Sequence, residues 1–205
     1  MTEEPRSTLT ERRKAATQTE IARAAAELFT EHGADGVTAE QIARRAGVAP
    51  RTFYRYFPTK EEAVAPLLSV GALRWRDLLA GSPPGMPPRE ALERAAGLVL
   101  AEPDLATRER YRWMRGLLRA AGRDPALRAV WLKINQDSEE RLVPVLAGLM
   151  DRDPGSLEVR LAAAAATAAI RVALEAWAAG DTPSEGPGSP ADLGIRALRA
   201  LTAGL

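Results

Sequence analysis

Three side chains with the chemistry to bind DNA lie at positions i, i+3 and i+4 of one segment, at Arg51, Tyr54 and Arg55. This spacing places them on one face of a helix. A guanidinium group can pair with two acceptors on the edge of a guanine, and a hydroxyl group can donate to a phosphate oxygen. Lys60 follows in the first turn of the next predicted helix, where the cation and the positive helix end both favour a phosphate. The pattern therefore favours a helix that reads the major groove.

The aromatic side chains of the same segment permit a plainer interpretation. Phe53 and Phe57 are four residues apart and are predicted to point inward as anchors of the helix. The arginines would then simply form a solvated face, as charged residues usually do. Residues 37–60 nevertheless carry five basic residues against one acidic residue, Glu40, a net charge of +4. This local excess is compatible with a phosphate-binding surface, and the flanking sequence favours that interpretation over the plainer one.

The elements that position these residues begin with a repeated capping pattern, a Thr followed three residues later by Glu or Gln. Gly33 and Gly47 supply the matching helix ends, because glycine tolerates a left-handed conformation. Pro58 stops the third helix near Phe57. The pattern predicts helices over residues 18–32, 39–46 and 50–57, a helix-turn-helix unit. The three capping pairs are Thr17 with Glu20, Thr38 with Gln41, and Thr59 with Glu62.

The rest of the chain is also predicted to be helical, which makes the fold all-α. A fourth helix is expected from Thr59 towards Leu79, in which Pro66 should either kink the helix or leave a backbone carbonyl free. Further helices are predicted at 89–101, 105–121, 125–150, 155–179 and 190–203. The expected division is a flexible tail at 1–13, a DNA-binding domain at 14–74 with its recognition motif at 38–57, and a larger C-terminal domain at 75–205.

Composition argues against several functions. The chain has no cysteine and one histidine, His32, and it lacks a glycine-rich phosphate loop. We therefore expect no enzyme activity, no metal site and no cofactor, and we assign His32 to capping of the first helix rather than to a ligand or a switch. No segment has the pattern of a secretory signal or a membrane span, so a cytoplasmic location is expected.

The segment TAEQIARRAGVAPRTFYRYFPTKEEAV, Thr38 to Val64, resembles the DNA-binding signature of the tetracycline-repressor (TetR) family over some fifteen ordered positions. The resemblance implies an all-helical homodimer, in which a three-helix N-terminal domain is joined by helix 4 to a helical-bundle domain for ligand binding and dimerisation. It also implies that Pro50, Arg51 and Arg55 face bases. The residues that it assigns to phosphates are Thr38, Thr52, Tyr54, Tyr56 and Lys60.

One position departs from the family pattern. Ala49 stands where the family commonly has Ser or Thr, so the recognition helix lacks a side-chain cap worth roughly 1 kcal/mol. We therefore expect Ala49→Ser to stabilise the protein.

The C-terminal half carries a weaker resemblance. Residues 157–180 and 190–203 resemble the paired helices of the family's dimer interface, although a helix buried within one chain explains the first segment equally well. Composition and spacing also resemble the subgroup that binds acyl-coenzyme-A-like ligands, with arginines at the pocket mouth for an anionic head. Ordinary core packing is the alternative for the pocket residues so implied, which are Trp75, Trp113, Met114, Leu117 and Trp131.

The sequence thus predicts a ligand-responsive transcriptional regulator. The expected form is a repressor that binds a palindromic operator as a homodimer and is released by a small hydrophobic effector such as an acyl-CoA-like molecule. The alternative is a helical adaptor, or another helix-turn-helix protein, without a small-molecule effector.

Overall fold

The computed structural model describes residues 8–101 and 104–202, and every regular element within these residues is helical. The all-α prediction is confirmed. The α-helices of the described residues are α1 (Leu9–His32), α2 (Ala39–Arg45), α3 (Pro50–Tyr56), α4 (Ala65–Ala80), α5 (Pro88–Leu100), α6 (Leu105–Ala121), α7 (Pro125–Met150), α8 (Leu157–Ala179) and α9 (Pro190–Leu201).

The first helix is longer than the sequence analysis predicted. It begins at Leu9 because Thr8 and Glu11 form a capping box, with the Glu11 backbone N–H 3.2 Å from Thr8 Oγ1. Thr17 instead lies inside the helix and donates its hydroxyl to the Arg13 carbonyl at 3.0 Å. The predicted start near residue 18 was therefore wrong, as was the flexible tail over residues 9–13. Residues 1–7 of that tail lie outside the described residues.

The turn between α2 and α3 follows the predicted local chemistry. Thr38 and Gln41 form the expected capping box at the start of α2. Gly47 adopts a φ of 68°, in the left-handed region that glycine tolerates. Ala49 precedes α3 with no side-chain cap hydrogen bond, and Phe57 ends the helix in an extended conformation. The missing cap is therefore a feature of the fold.

The fourth helix begins later than predicted. Thr59 Oγ1 accepts the backbone N–H of Glu62 at 3.2 Å, but this bond starts a 3-10 turn over Glu62–Val64. The α-helix proper begins at Ala65, so Pro66 lies in its first turn, where a missing N–H costs nothing. The expected kink at Pro66 was wrong.

The remaining helices form a bundle in which α4 packs on α5 and α7, while α8 packs on α7 and α9. Their bounds match the predicted segments within about two residues, and Asp104, Asp124 and Ser189 cap the starts of α6, α7 and α9. Within the described ranges, the structure contains no helix whose length and apolar composition would let it traverse a lipid bilayer.

A close crossing joins the N-terminal helices to the bundle. The last turns of α1 pack on α6, and Gly116 of α6 faces Thr30 of α1. A Cβ atom at position 116 would lie 2.6 Å from Thr30 Oγ1, well inside van der Waals contact. Thr30 Oγ1 is itself fixed by donating to the Ala26 carbonyl at 2.7 Å. Glycine is therefore required for the two helices to approach this closely.

Candidate functional site

The recognition helix α3 is anchored by two aromatic side chains. Phe53 is fully buried and Phe57 is 5% exposed, and their ring centroids lie 5.9 Å apart. Both side chains belong to the buried core, so they point inward as predicted, and α3 packs on α2. The opposite face of the helix is therefore left to solvent.

This outward face carries the predicted arginines. Arg51, Tyr54 and Arg55 are exposed, and Arg55 stacks at 5.0 Å on the ring of Tyr56. Among the described residues, Arg51 has neither an ion pair nor a hydrogen bond to its side chain. Pro50 is exposed at the first position of the helix, while Thr52 and Tyr56 are half-buried at its edges. The structure thus brings the predicted base-reading residues together on one surface.

The Glu40 carboxylate accepts hydrogen bonds from two of the residues that were predicted to bind DNA phosphates. Tyr54 donates its hydroxyl to Glu40 Oε1 at 3.2 Å, and Thr38 also bonds the Glu40 carboxylate. The backbone N–H of Glu40 and the Thr38 hydroxyl lower the pKa of Glu40, while desolvation and the Glu40 charge raise the pKa of Tyr54. Each hydroxyl therefore gives its one proton to Glu40 in this structure and would have to turn away from Glu40 to donate to a phosphate oxygen. The sequence analysis did not assign this role to Glu40.

Two of the five basic residues counted over residues 37–60 bond carboxylate or carbonyl oxygens within the chain. Arg45 forms ion pairs at 3.2 Å with both Glu27 and Glu31 of α1. Lys60 donates to the carbonyl oxygens of Ala34 at 2.7 Å and Val37 at 2.9 Å. The cations that remain for an external anion are those of Arg44, Arg51 and Arg55.

A small apolar cavity lies between α4, α5, α6, α7 and α8, with a volume of about 60 Å³. Trp75, Met114 and Trp131 line it, as the pocket prediction required. Trp113 and Leu117 are also buried but lie outside this cavity.

The cavity wall contains polar atoms that the chain leaves unsatisfied. Trp75 Nε1 and Thr167 Oγ1 are buried and have no hydrogen-bond partner among the described residues. Trp131 Nε1, by contrast, donates to Glu175 Oε1 at 2.8 Å. An unpaired buried polar group costs about 1–3 kcal/mol. Thr167 was missed by the sequence analysis because it lies within an alanine-rich helix that gives no local signal.

The outer face of α8 is apolar along its length. Leu157, Leu161 and Val172 are 67%, 58% and 49% exposed and fall on one stripe at helical spacing, with Ala165 and Ala168 between them. Large apolar side chains exposed in this arrangement mark an interaction surface.

Comparison with known proteins connects the N-terminal helices to a protein family. Residues 21–65 match the family model described as bacterial regulatory proteins, tetR family. The chain is also 31% identical over 147 residues to the HTH-type transcriptional regulator TcmR of Streptomyces glaucescens. That alignment covers 68% of this chain and 62% of the length of TcmR.

Solved structures extend the likeness to the whole fold. The chain resembles FadR of Thermus thermophilus, a TetR family transcriptional repressor solved in complex with lauroyl-CoA, at 26% identity and a TM-score of 0.53. The match covers 92% of this chain and 94% of that one. A TetR transcriptional regulator from Rhodococcus sp. RHA1 matches at 19% identity and a TM-score of 0.57, over 95% of this chain and 100% of that one.

Proposed function

Because the chain belongs to the TetR family of bacterial regulatory proteins, we propose that it is a repressor that binds a palindromic DNA operator as a homodimer. A small hydrophobic effector would release it from the operator. The observation that carries the proposal is the outward face of α3, where two arginines without a carboxylate partner among the described residues stand on a helix anchored by two buried phenylalanines.

Each side chain of this face has a proposed role. Pro50, Arg51 and Arg55 would face base edges, and guanidinium groups suit the paired acceptors of guanine. Thr38, Thr52, Tyr54 and Tyr56 would donate to phosphates. Lys60 would also serve the phosphate backbone. Its bonds to the Ala34 and Val37 carbonyls suggest that it acts partly by fixing the loop before α2.

The DNA-binding proposal is tested by selecting bound sequences from a random duplex pool and titrating the recovered site. We expect a palindromic consensus, and Arg51→Ala should weaken specific binding by about 1–3 kcal/mol while relaxing the preference at one base position. Arg94→Ala removes an exposed arginine of α5 and serves as the control for the loss of one positive charge. Equal losses on specific and random DNA would contradict base reading by Arg51.

The dimer proposal is supported by the apolar stripe on α8, which continues a partly exposed apolar edge of α9 at Leu193, Ala197 and Leu201. A two-fold axis through α8 and α9 would bury the exposed leucines of both copies. Such symmetry also matches a two-fold operator, whose half-sites lie one helical turn apart.

Leu161→Glu tests this interface, because it would place a charge at the centre of the stripe. Light scattering after size exclusion should give a dimer for the wild type and a monomer for the variant, with weaker operator binding. Leu132→Glu replaces a leucine that is 43% exposed on α7 and should leave the dimer intact. A wild-type monomer, or an unaffected Leu161→Glu dimer, would exclude this interface.

The effector proposal is supported by the cavity between α4 and α8. Its apolar wall and its two unsatisfied polar atoms suit a mostly apolar molecule that carries a hydrogen-bond acceptor. A cavity of about 150 Å³ is needed to hold benzene, so the present volume of about 60 Å³ requires the walls to move before a longer ligand can enter. Such movement of α4 would reach the DNA-binding helices, since α4 also packs on α1.

An acyl-CoA-like molecule is the first effector to test, given the sequence resemblance and the ligand in the FadR structure. Lauroyl-CoA and free coenzyme A should be compared by thermal shift and by release of bound DNA. A ligand that binds only the folded state raises its stability, by about 2.7 kcal/mol at a concentration of 100 Kd. If lauroyl-CoA neither stabilises the protein nor releases DNA, this effector class is excluded without affecting the DNA-binding proposal.

A further inference from the structure

A second concave surface lies beside the cavity, at the seam between α1 and α6. It is a groove of about 740 Å³, within the range of small-molecule sites. One wall is formed by the end of α1 and the following turn, with Phe29, Thr30, His32 and Asp35. The other wall carries arginines of α6 and of the turn after it, spaced three or four residues apart, at Arg108, Arg112, Arg115, Arg119 and Arg123.

The carboxylates near this groove do not balance its arginines. Asp124 lines the groove, but it is buried and accepts the Leu127 backbone N–H at 2.8 Å as the cap of α7. Asp181 pairs with Arg119 at 2.6 Å, which leaves Asp35 as the other lining carboxylate among the described residues. Arg112 and Arg123 are exposed and have no ion pair within the part of the chain that the structure describes. The groove therefore presents a net positive charge to a small anion.

Arg115 lies deepest in this wall. Its guanidinium is 4.0 Å above the ring of Trp177 and donates to the Thr182 carbonyl, while its Nε is buried without a partner in the described residues. Burial and the charge of Arg119 lower the pKa of Arg115. An anion in the groove would relieve this repulsion and satisfy the free N–H. A planar guanidinium suits the paired oxygens of a phosphate in particular.

The rest of the groove lining is mixed, with small and polar residues as well as three largely buried aromatic side chains. Phe29, Tyr111 and Trp177 line it beside the arginines. We propose that this groove binds a small anion in which a phosphate group is joined to an apolar or aromatic group, with the phosphate on the wall that carries Arg112, Arg115 and Arg123. This site is separate from the apolar effector cavity. One wall of the groove belongs to α1, which supports the DNA-binding helices, so occupancy should also alter DNA affinity. That regulatory effect, unlike the binding, rests on the proposed function.

Phenyl phosphate is the probe that tests the binding, by isothermal titration calorimetry at fixed ionic strength. The wild type should bind it more tightly than inorganic phosphate or phenol, and the double variant Arg112→Gln with Arg123→Gln should bind it about tenfold or more weakly. Both arginines are exposed, so the variant should keep the wild-type melting temperature. Arg94→Gln removes one positive charge, against two in the double variant, from α5 outside the groove and should leave the affinity unchanged.

Three results would overturn the proposal. Equal weakening by Arg94→Gln would mean that phenyl phosphate senses only net charge. Full affinity in the double variant would exclude these arginines. The third result concerns DNA affinity, measured for the double variant without phenyl phosphate. If the variant loses as much affinity for DNA as it loses for phenyl phosphate, the arginines would be assigned to contacts with the DNA backbone.

The proposed effect of the bound anion on DNA binding is tested separately. The affinity of the protein for the selected DNA site is measured with and without saturating phenyl phosphate. A change of about threefold or more that disappears in the double variant supports coupling through α1. Unchanged affinity overturns the coupling. If the protein binds no DNA at all, the proposed function fails while the calorimetric result stands.

Discussion

The recognition helix α3 and the bundle helix α6 have similar compositions but present their arginines differently. In both helices the aromatic side chains that anchor the helix, such as Phe53 and Trp113, are buried. The arginines of α3 are exposed to solvent, whereas Arg115 and Arg119 of α6 donate to carbonyl oxygens at the end of α8 and in the loop after it. A mixture of arginine and aromatic residues therefore does not define a partner. The shape of the surface and the groups opposite it decide between a long duplex and a small anion.

The strongest test of this comparison is to remove an anchor of α3. Phe53→Ala should lower the free energy of unfolding by about 3–5 kcal/mol, because Phe53 is fully buried between α3 and its supporting helices. Tyr54→Ala, on the exposed face, should cost much less while weakening DNA binding. Urea denaturation followed by circular dichroism measures both. Similar losses of stability would contradict the division of α3 into a buried and a functional face.

The next test compares an arginine from each helix. Arg119 donates to the carbonyls of Ala178 and Gly180, both at 2.7 Å, and thereby ties α6 to the end of α8. Arg119→Met should therefore cost about 2 kcal/mol of unfolding free energy. Arg51→Met should change stability by no more than about 0.5 kcal/mol, since its side chain extends into solvent. A larger loss for Arg51→Met would show that the α3 arginines also have a structural role.

A third test concerns the polar atoms around the cavity. Thr167→Val removes a buried hydroxyl that has no partner among the described residues and should stabilise the free protein by about 1 kcal/mol. Thr107 is equally buried, at 5% exposure, but its backbone N–H and its hydroxyl both bond the Asp104 carboxylate and lower the pKa of that group. Thr107→Val should therefore destabilise the protein. Opposite signs in thermal unfolding would separate a group held ready for a ligand from one used by the fold.

The smallest expected effect lies at the start of α3. Ala49→Ser would supply the missing acceptor for the first backbone N–H groups and should raise stability by roughly 0.5–1 kcal/mol. Ala49→Val provides no acceptor and should give no gain. A calorimetric scan of the two variants against the wild type checks the difference, and an unchanged or lower melting temperature for Ala49→Ser would refute the capping argument.

Local chemistry predicted most of the helices. Capping residues, glycines and prolines lie next to the boundaries that they set, so α2, α3 and the five helices from α5 to α9 could be located from sequence. The start of α1 was misplaced because the Thr17 pattern is indistinguishable from a cap until its hydroxyl is seen bonded to Arg13. Thr8 and Glu11 offered the same pattern nine residues earlier.

The sites were less predictable because they depend on distant residues. The roles of Arg51 and Arg55 follow from spacing within one helix. The partners of Lys60 lie 23 and 26 residues away, and the two walls of the arginine groove are more than 70 residues apart in the chain. The cavity at Trp75 and Thr167 is a packing defect, and no pattern in a single helix can reveal where packing is incomplete.

The contact between Gly116 and Thr30 has a practical consequence for redesign. Because a single Cβ atom would meet Thr30 Oγ1 at 2.6 Å, the size of the side chains at these two positions sets the spacing between α1 and α6. Substitutions at position 116, each paired with a smaller residue at position 30, would form a graded series of spacers. Both residues also line the arginine groove, so in a biosensor built from this protein such a series would change the spacing of the groove walls and, with it, the dose of the proposed anion needed for a response.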